Sequence, residues 1–213
     1  MNSATYNFFE YLNERLKRDL PATTAHIEMA PKMGEKLYRG FTPSKSARKS
    51  AVMLGLFPKG DDFEIIFTLR STKLGNHSGQ ISFPGGHAEP GENAVETALR
   101  ETTEEVGIRP ADIKIAGTLS DLFVPPSDNI ITPVVGLLER EPVIRVNPAE
   151  VEEAFSMPVG RFRNGDYLER EMWMISGAEV EVPFWNVHTR IPLWGATAMI
   201  LKEFLVVAED FFD

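Results

Sequence analysis

The chain of 213 residues contains no cysteine. Disulfides, zinc–thiolate sites and thiol nucleophiles are therefore excluded. Basic residues are also in deficit: 22 Lys and Arg stand against 31 Asp and Glu, a net charge of −9 with a pI near 5.1. A general nucleic-acid interface needs a basic face, which this composition does not supply. A small phosphate-bearing ligand is not excluded, because a bound cation reverses the local field. Long apolar runs are missing too. The most apolar stretch, residues 191–208, is interrupted by Lys202 and Glu203. It reads as a buried or half-buried helix rather than a membrane span. The first twenty residues carry charges throughout, so no secretory signal is expected, and Phe211-Phe212-Asp213 is not a peroxisomal tripeptide address. Internal repeats and low-complexity tracts are absent. These deficits lead to an expectation of a cytoplasmic protein without membrane or nucleic-acid partners.

What is present is an ordinary globular composition, 43% hydrophobic, in a length that suits one domain with a small appendage. Residues 6–19 carry Phe8, Phe9, Leu12 and Leu16 at helical spacing, and Leu20-Pro21 ends that helix. Residues 22–48 read as irregular. The apolar run 50–57, the turn Lys59-Gly60-Asp61-Asp62 and residues 63–70 predict a hairpin. Residues 71–82 read as a polar loop. A helix is predicted from just after Asn93 through Val106, stopped by Gly107. Residues 113–119 and 130–138 predict strands, 148–155 a short helix, 172–175 and 180–187 a hairpin, and 192–212 a terminal helix. Strand clusters on both sides of a central helix fit an α/β or α+β fold with a mixed sheet.

The most informative stretch is residues 86–108, GHAEPGENAVETALRETTEEVGI. Glu101, Glu104 and Glu105 stand at i, i+3 and i+4, on one face of the predicted helix. Like charges at that spacing repel by a few tenths of a kcal/mol per pair, roughly. A surface helix gains nothing from such a cluster unless something positive sits on it. A hard divalent cation, which prefers carboxylate oxygens, is the simplest candidate.

This stretch resembles the signature box of the Nudix hydrolases. Gly86, Glu92, Arg100, Glu101, Glu104, Glu105 and Gly107 fill all of its fixed positions; Thr102 stands where an aliphatic residue is usual. The resemblance implies an α/β/α sandwich around a mixed β-sheet, and Mg²⁺- or Mn²⁺-dependent hydrolysis of a pyrophosphate linkage. It implies a domain over residues 45–213, with residues 1–44 as an N-terminal helix and irregular linker. The implied metal-binding residues are Gly86, through its carbonyl, Glu101, Glu104 and Glu105. Arg100, four residues from both Glu96 and Glu104, is placed to hold either carboxylate. Two general bases remain open: Glu104 itself, or a glutamate outside the box, of which Glu150 is the candidate beside Glu152 and Glu153. The alternative for those three is an exposed first turn of a helix.

The segment upstream of the box is similar to the extra motif of the coenzyme A diphosphatase branch. Arg70, Ser71, Gly79, Phe83, Pro84, Gly85 and Gly86 fall in register with it, with Gly75 where that branch has a second arginine. Residues 147–155, Met157-Pro158 and 193–198 also look like that branch. The implied substrate-binding residues are Arg70, Ser71, Gly79, Phe83 and Gly85, and the implied substrate is coenzyme A or an acyl derivative. Loss of the second arginine removes a fork for a substrate phosphate; Lys73 nearby offers a point charge only. Other readings are a pyrophosphatase of ADP-ribose, NADH or another nucleoside-diphosphate derivative, and a non-catalytic nucleotide-sensing module. Sensing modules are expected to lose box glutamates, and this chain keeps them. His77 reads as a solvated loop residue, and His87 and the three tryptophans receive no role. A homodimer is compatible with the family and with base rates; no sequence pattern specifies one.

Overall fold

The computed structural model describes residues 3–37, 43–44, 46–71 and 79–212. Lys73, Gly75 and His77 lie outside the described residues. The chain runs through α1 (Ser3–Arg15), α2 (Thr23–His26), β1 (Lys32–Met33), β2 (Lys36–Leu37), β3 (Arg48–Lys59) and β4 (Asp62–Arg70). It continues through β5 (Ile81–Ser82), β6 (Gly85–His87), α3 (Ala94–Val106), β7 (Ile113–Thr118), β8 (Leu122–Val124) and β9 (Asn129–Leu138). It ends with β10 (Val151–Pro158), α4 (Val159–Arg163), β11 (Leu168–Ile175), β12 (Ala178–Trp185) and α5 (Gly195–Phe212).

The main sheet has the order β10-β4-β3-β9-β7, with β5 added to β4, β6 to β3 and β8 to β9. The β3–β9 pair is parallel and the others are antiparallel, so the sheet is mixed. Strand β3 is buried on both faces. Ala51 and Met53 pack towards α3, with Ala98 and Val106. Leu54 and Leu56 pack into a second cluster with Phe8, Phe67 and Phe204 of α1, β4 and α5. This is the expected α/β/α sandwich, and the two buried faces explain why the strand reads as a continuous apolar run. A smaller sheet, β11-β12-β1-β2, lies beside it.

The predicted hairpin turn is present: Lys59 pairs with Asp62, and Gly60 takes φ +62, a conformation that favours glycine. Helix α1 is anchored by Phe8 and Leu12, both fully buried. The Phe8 ring centroid lies 4.3 Å from that of Phe63 and 4.6 Å from that of Phe211, and the Tyr11 hydroxyl donates to Val207 O at 2.8 Å. Each of these two buried side chains contributes about 1.5–3 kcal/mol of transfer free energy. No helix among the described residues is long and apolar enough to cross a membrane.

Two predicted stretches differ from the structure: residues 22–48, read as irregular, carry α2, β1 and β2, because the edge of β12 supplies a ladder partner for β1, and residues 148–155 are wrong in type. Residues 148–155 do not form a short helix: residues 148–150 turn, and β10 begins at Val151. The Asn147 carbonyl accepts from the N–H groups of Glu150 and Val151, closing a single turn. The open edge of β4 then supplies ladder partners from Arg70 to Glu64, and Phe155 stacks on Phe67 with centroids 5.7 Å apart. Tertiary pairing thus overrides the local helical pattern. A register shift between Val151 and Glu153 marks a bulge at the start of this strand.

Candidate metal and diphosphate site

Helix α3 is fixed at both ends by its own sequence. The Asn93 side chain accepts from the N–H groups of Val95 and Glu96, and the Glu96 carboxylate accepts from Asn93 N–H, a complete capping box. Gly107 ends the helix with φ +72. Thr102, the departure from the family pattern, is buried, and its hydroxyl donates to Ala98 O. The hydroxyl is therefore satisfied by the helix itself, and its burial among apolar neighbours costs little.

Arg100 is the hub of the exposed side of this helix. Its Nε and Nη2 hold the two oxygens of Glu92 at 2.7 and 3.1 Å. Nη1 donates to Glu101 Oε1 at 2.9 Å and to Glu104 Oε2 at 3.1 Å, and Nη2 also donates to His87 O at 3.0 Å. The Arg100 hydrogen bond, with those from Glu89 N–H and Thr97, holds the Glu92 carboxyl down at about 2. Of the two partners anticipated for Arg100, Glu104 is held, whereas Glu96 is taken by the capping box. The spacing did not reveal Glu92 as the forked partner, because that contact spans the loop–helix junction rather than one helical turn.

Glu105 is the deepest of the acidic residues, with 1% of its surface exposed. Its Oε1 accepts from Arg70 Nη1 at 3.1 Å and its Oε2 from Gly85 N–H at 3.1 Å. Burial pushes its carboxyl up to about 7, against the opposing effects of Arg70 and Gly85. Glu101 is also raised by burial, partly offset by Arg100. Arg70 is thus the partner of a buried carboxylate at the end of β4, rather than half of a surface pair.

The third carboxylate comes from outside the box. Oxygens of Glu101, Glu105 and Glu150 lie within 4.8 Å of one another. Glu150 faces this group, while Glu152 and Glu153 point away to Arg190 and His188. Glu104 is outside the three: its side chain is 49% exposed and held by Arg100. Gly86 lines the same place, for a Cβ built on it would lie 2.4 Å from Glu101 Oε1. Three carboxylates converging beside a residue with no side chain form an all-oxygen donor set of the kind hard divalent cations take. The residues therefore fit the cation that the sequence implies.

The remaining anticipated residues shape the site from behind. Ser71 is buried, and its N–H donates to Glu150 O at 2.8 Å. Gly79, with φ +71, donates its N–H to Arg70 O at 3.1 Å. Phe83 does not reach a substrate surface: its ring is 1% exposed and stacked on Phe67 in the core. The His87 side chain turns to Ser50 Oγ, 2.8 Å away. A cleft of about 190 Å³ without charged lining opens beside Gln80, between Ile81, Phe123, Pro125, Trp194 and Met199.

The NUDIX domain pattern matches residues 47–173, more than half of the chain, and the chain belongs to the Nudix family. It is 33% identical over 164 residues to the uncharacterized Nudix hydrolase NudL of Photorhabdus laumondii, covering 75% of this chain and 84% of that protein. It is 36% identical over 118 residues to the peroxisomal coenzyme A diphosphatase NUDT7 of Mus musculus, and 40% identical over 98 residues to Nudix hydrolase 3 of Caenorhabditis elegans. These matches cover 55% and 45% of this chain, and they span only 50% and 41% of those two relatives. A crystal structure of a MutT/nudix family protein from Enterococcus faecalis superposes with a TM-score of 0.51 at 17% identity, covering 98% of this chain and 76% of that chain. The superposition supports the same fold.

Proposed function

We propose that this protein is a metal-dependent Nudix pyrophosphatase that hydrolyses coenzyme A or acyl-coenzyme A to 3′,5′-ADP and phosphopantetheine or its acyl derivative. The observation that carries the hydrolytic reading is the convergence of Glu101, Glu105 and Glu150 beside Gly86. Bound Mg²⁺ or Mn²⁺ would supply charge neutralisation for the diphosphate and an acidified water. Glu101, Glu105 and Glu150 would hold it, with the Gly86 carbonyl beside them. Arg100 fixes the rotamers of Glu101 and Glu104 through the bonds described above, so their carboxylates meet the substrate already oriented. Glu104, the exposed one of the four glutamates at the fixed box positions and outside the three-carboxylate group, is our assignment for taking the proton of the attacking water. We assign Arg70, at the end of β4, to a diphosphate oxygen.

The choice of coenzyme A rests on the upstream motif, which folds directly against the cluster through Arg70 and Gly85, and on the likeness to the mouse diphosphatase. The uncharged cleft beside Gln80 offers room for an apolar substrate arm. ADP-ribose, NADH and other nucleoside-diphosphate derivatives are the competing substrates. We also assign residues 45–213 to the Nudix domain, with residues 1–44 as an N-terminal addition, and place the protein in the cytoplasm. Purified protein should be incubated with Mg²⁺ or Mn²⁺ and, separately, coenzyme A, acetyl-coenzyme A, ADP-ribose and NADH, with products identified by mass and Glu105→Gln as control. Release of 3′,5′-ADP, lost in the variant, is the expected result. Turnover of ADP-ribose or NADH alone would overturn the coenzyme A assignment, and turnover of none would favour a sensing module.

A further inference from the structure

We infer that Asn147 is a positioning residue that sets the Glu150 carboxylate into the acidic cluster; this rests on the metal-site reading above. Asn147 Nδ2 donates to Glu150 Oε1 at 3.0 Å. Its Oδ1 accepts from Ala149 N–H at 3.1 Å, which fixes the amide orientation so that only the NH₂ faces the carboxylate. Its backbone N–H donates to Glu105 O at 2.9 Å, taking a carbonyl in the last turn of α3 that the helix leaves unpaired. One residue therefore ties the helix bearing Glu101 and Glu105 to the turn bearing Glu150. The Ser71 N–H to Glu150 O bond braces the same residue from the end of β4.

The consequence follows from carboxylate chemistry. A glutamate entering from a turn has three side-chain torsions to fix, and the Asn147 amide at the start of that turn supplies a donor that holds its carboxylate. The Asn147 donor holds Oε1 and leaves the carboxylate acceptor capacity for the cluster. In the sequence Asn147 stands just before the stretch read as a helix; the signal for its positioning task is the glutamate three residues on, within reach of the amide.

The test uses Asn147→Ser in the full chain. Serine retains an acceptor for Ala149 N–H but has no donor that reaches Glu150. Mn²⁺ affinity, measured by electron paramagnetic resonance without substrate, is expected to fall about tenfold, with kcat falling about tenfold and KM for the nucleotide within about twofold. In a Glu150→Ala background the same substitution is expected to change Mn²⁺ affinity by less than about twofold, because its effect runs through Glu150. Wild-type Mn²⁺ affinity in Asn147→Ser, while Glu150→Ala is impaired, overturns the proposal alone. An undiminished tenfold loss in the Glu150→Ala background does the same. A Glu150→Ala variant with wild-type Mn²⁺ binding and turnover would instead overturn the reading of Glu150 as part of the site, and the proposal with it.

Discussion

The Glu101 carboxylate occupies the space that any side chain on Gly86 would need: an added Cβ would stand 2.4 Å from Oε1 and 2.6 Å from Oε2. The obstructing atoms are the far end of a flexible side chain, so Gly86→Ala can be relieved by swinging Glu101 away, at the loss of its bond to Arg100. Its neighbour behaves differently. A Cβ on Gly85 would meet Ala51 O at 2.4 Å and Val52 Cα at 2.7 Å, both backbone atoms of β3.

The two alanine variants should therefore separate function from fold. Gly86→Ala is expected to keep a near wild-type melting temperature while losing 10–100-fold in cation affinity and turnover. Gly85→Ala is expected to lose about 1–3 kcal/mol of stability from overpacking. Thermal melts alongside Mn²⁺ titrations check both, and a Gly86→Ala variant with wild-type cation binding would refute the shared use of that space.

Arg100→Lys keeps the charge and removes the fork. Arginine here uses Nε, Nη1 and Nη2 to engage three carboxylates and a carbonyl at once. An ammonium offers three donors from a single point and cannot span Glu92, Glu101 and Glu104 together. Turnover is expected to fall 10–100-fold. Stability should change by less than about 1 kcal/mol, since these pairs are partly solvated. Denaturant titration of the variant beside its kinetics decides whether the arginine orients the acids or merely supports the fold.

The box was legible in the sequence because its chemistry is periodic. Carboxylates at i, i+3 and i+4 and a glycine stop all belong to one helix, and each local signal agrees with the others. Glu150 was harder to place. Its orientation depends on β10 pairing with β4, a contact between residues far apart in sequence, and the local pattern around Pro148 suggested a helix instead. Phe83 was misleading for a related reason: motif register puts it beside the substrate residues, but the two-residue strand β5 delivers the chain to a point where this ring faces the core. The burial of α1 between β4 and α5 could be anticipated only as far as its apolar stripe; what it packs against is set by the return of the chain two hundred residues later.

A second buried acid gives the fold a pH dependence independent of the site. Glu203 is fully buried and accepts from His26 Nε2 at 2.9 Å, Ala22 N–H at 3.1 Å and Ser120 N–H at 3.3 Å. Burial alone would raise its carboxyl, but the bonds from His26 and Ser120, the His26 charge and the Ala22 bond outweigh it and leave it below 4.5. The folded state therefore binds this proton more weakly than the unfolded chain. The associated stability is fully present above the unfolded value and is lost as pH falls through the lower folded value. Urea midpoints measured from pH 7 down to pH 3 should show this loss in the wild type. Glu203→Gln should be about 1–3 kcal/mol less stable at pH 7 and should lack that component of the acid slope. Parallel slopes for the two proteins would contradict the assignment.

The division of labour among the acids can be separated by comparing cation binding with chemistry. Glu105 is buried, with both oxygens already directed by Arg70 and Gly85, so Glu105→Gln places an amide NH₂ against at least one of these donors and disturbs the cluster at its base. Glu150 reaches the same group from the turn before β10. Both glutamine variants should weaken Mn²⁺ binding by about 10-fold or more. Glu104 is different in kind: half exposed, outside the group, and tethered by Arg100. If it accepts the proton of the attacking water, Glu104→Gln should leave Mn²⁺ affinity nearly unchanged and cost 10²–10⁴-fold in single-turnover rate. Loss of Mn²⁺ binding in Glu104→Gln comparable to that in Glu105→Gln would make Glu104 a ligand rather than the base. Full single-turnover activity in Glu104→Gln, with Mn²⁺ binding intact but chemistry lost in Glu150→Gln, would transfer the proton-accepting role to Glu150. The first arrangement is the expected one because, of the four glutamates at the fixed positions of the box, Glu92, Glu101, Glu104 and Glu105, Glu104 is the exposed one and stands outside the converging group.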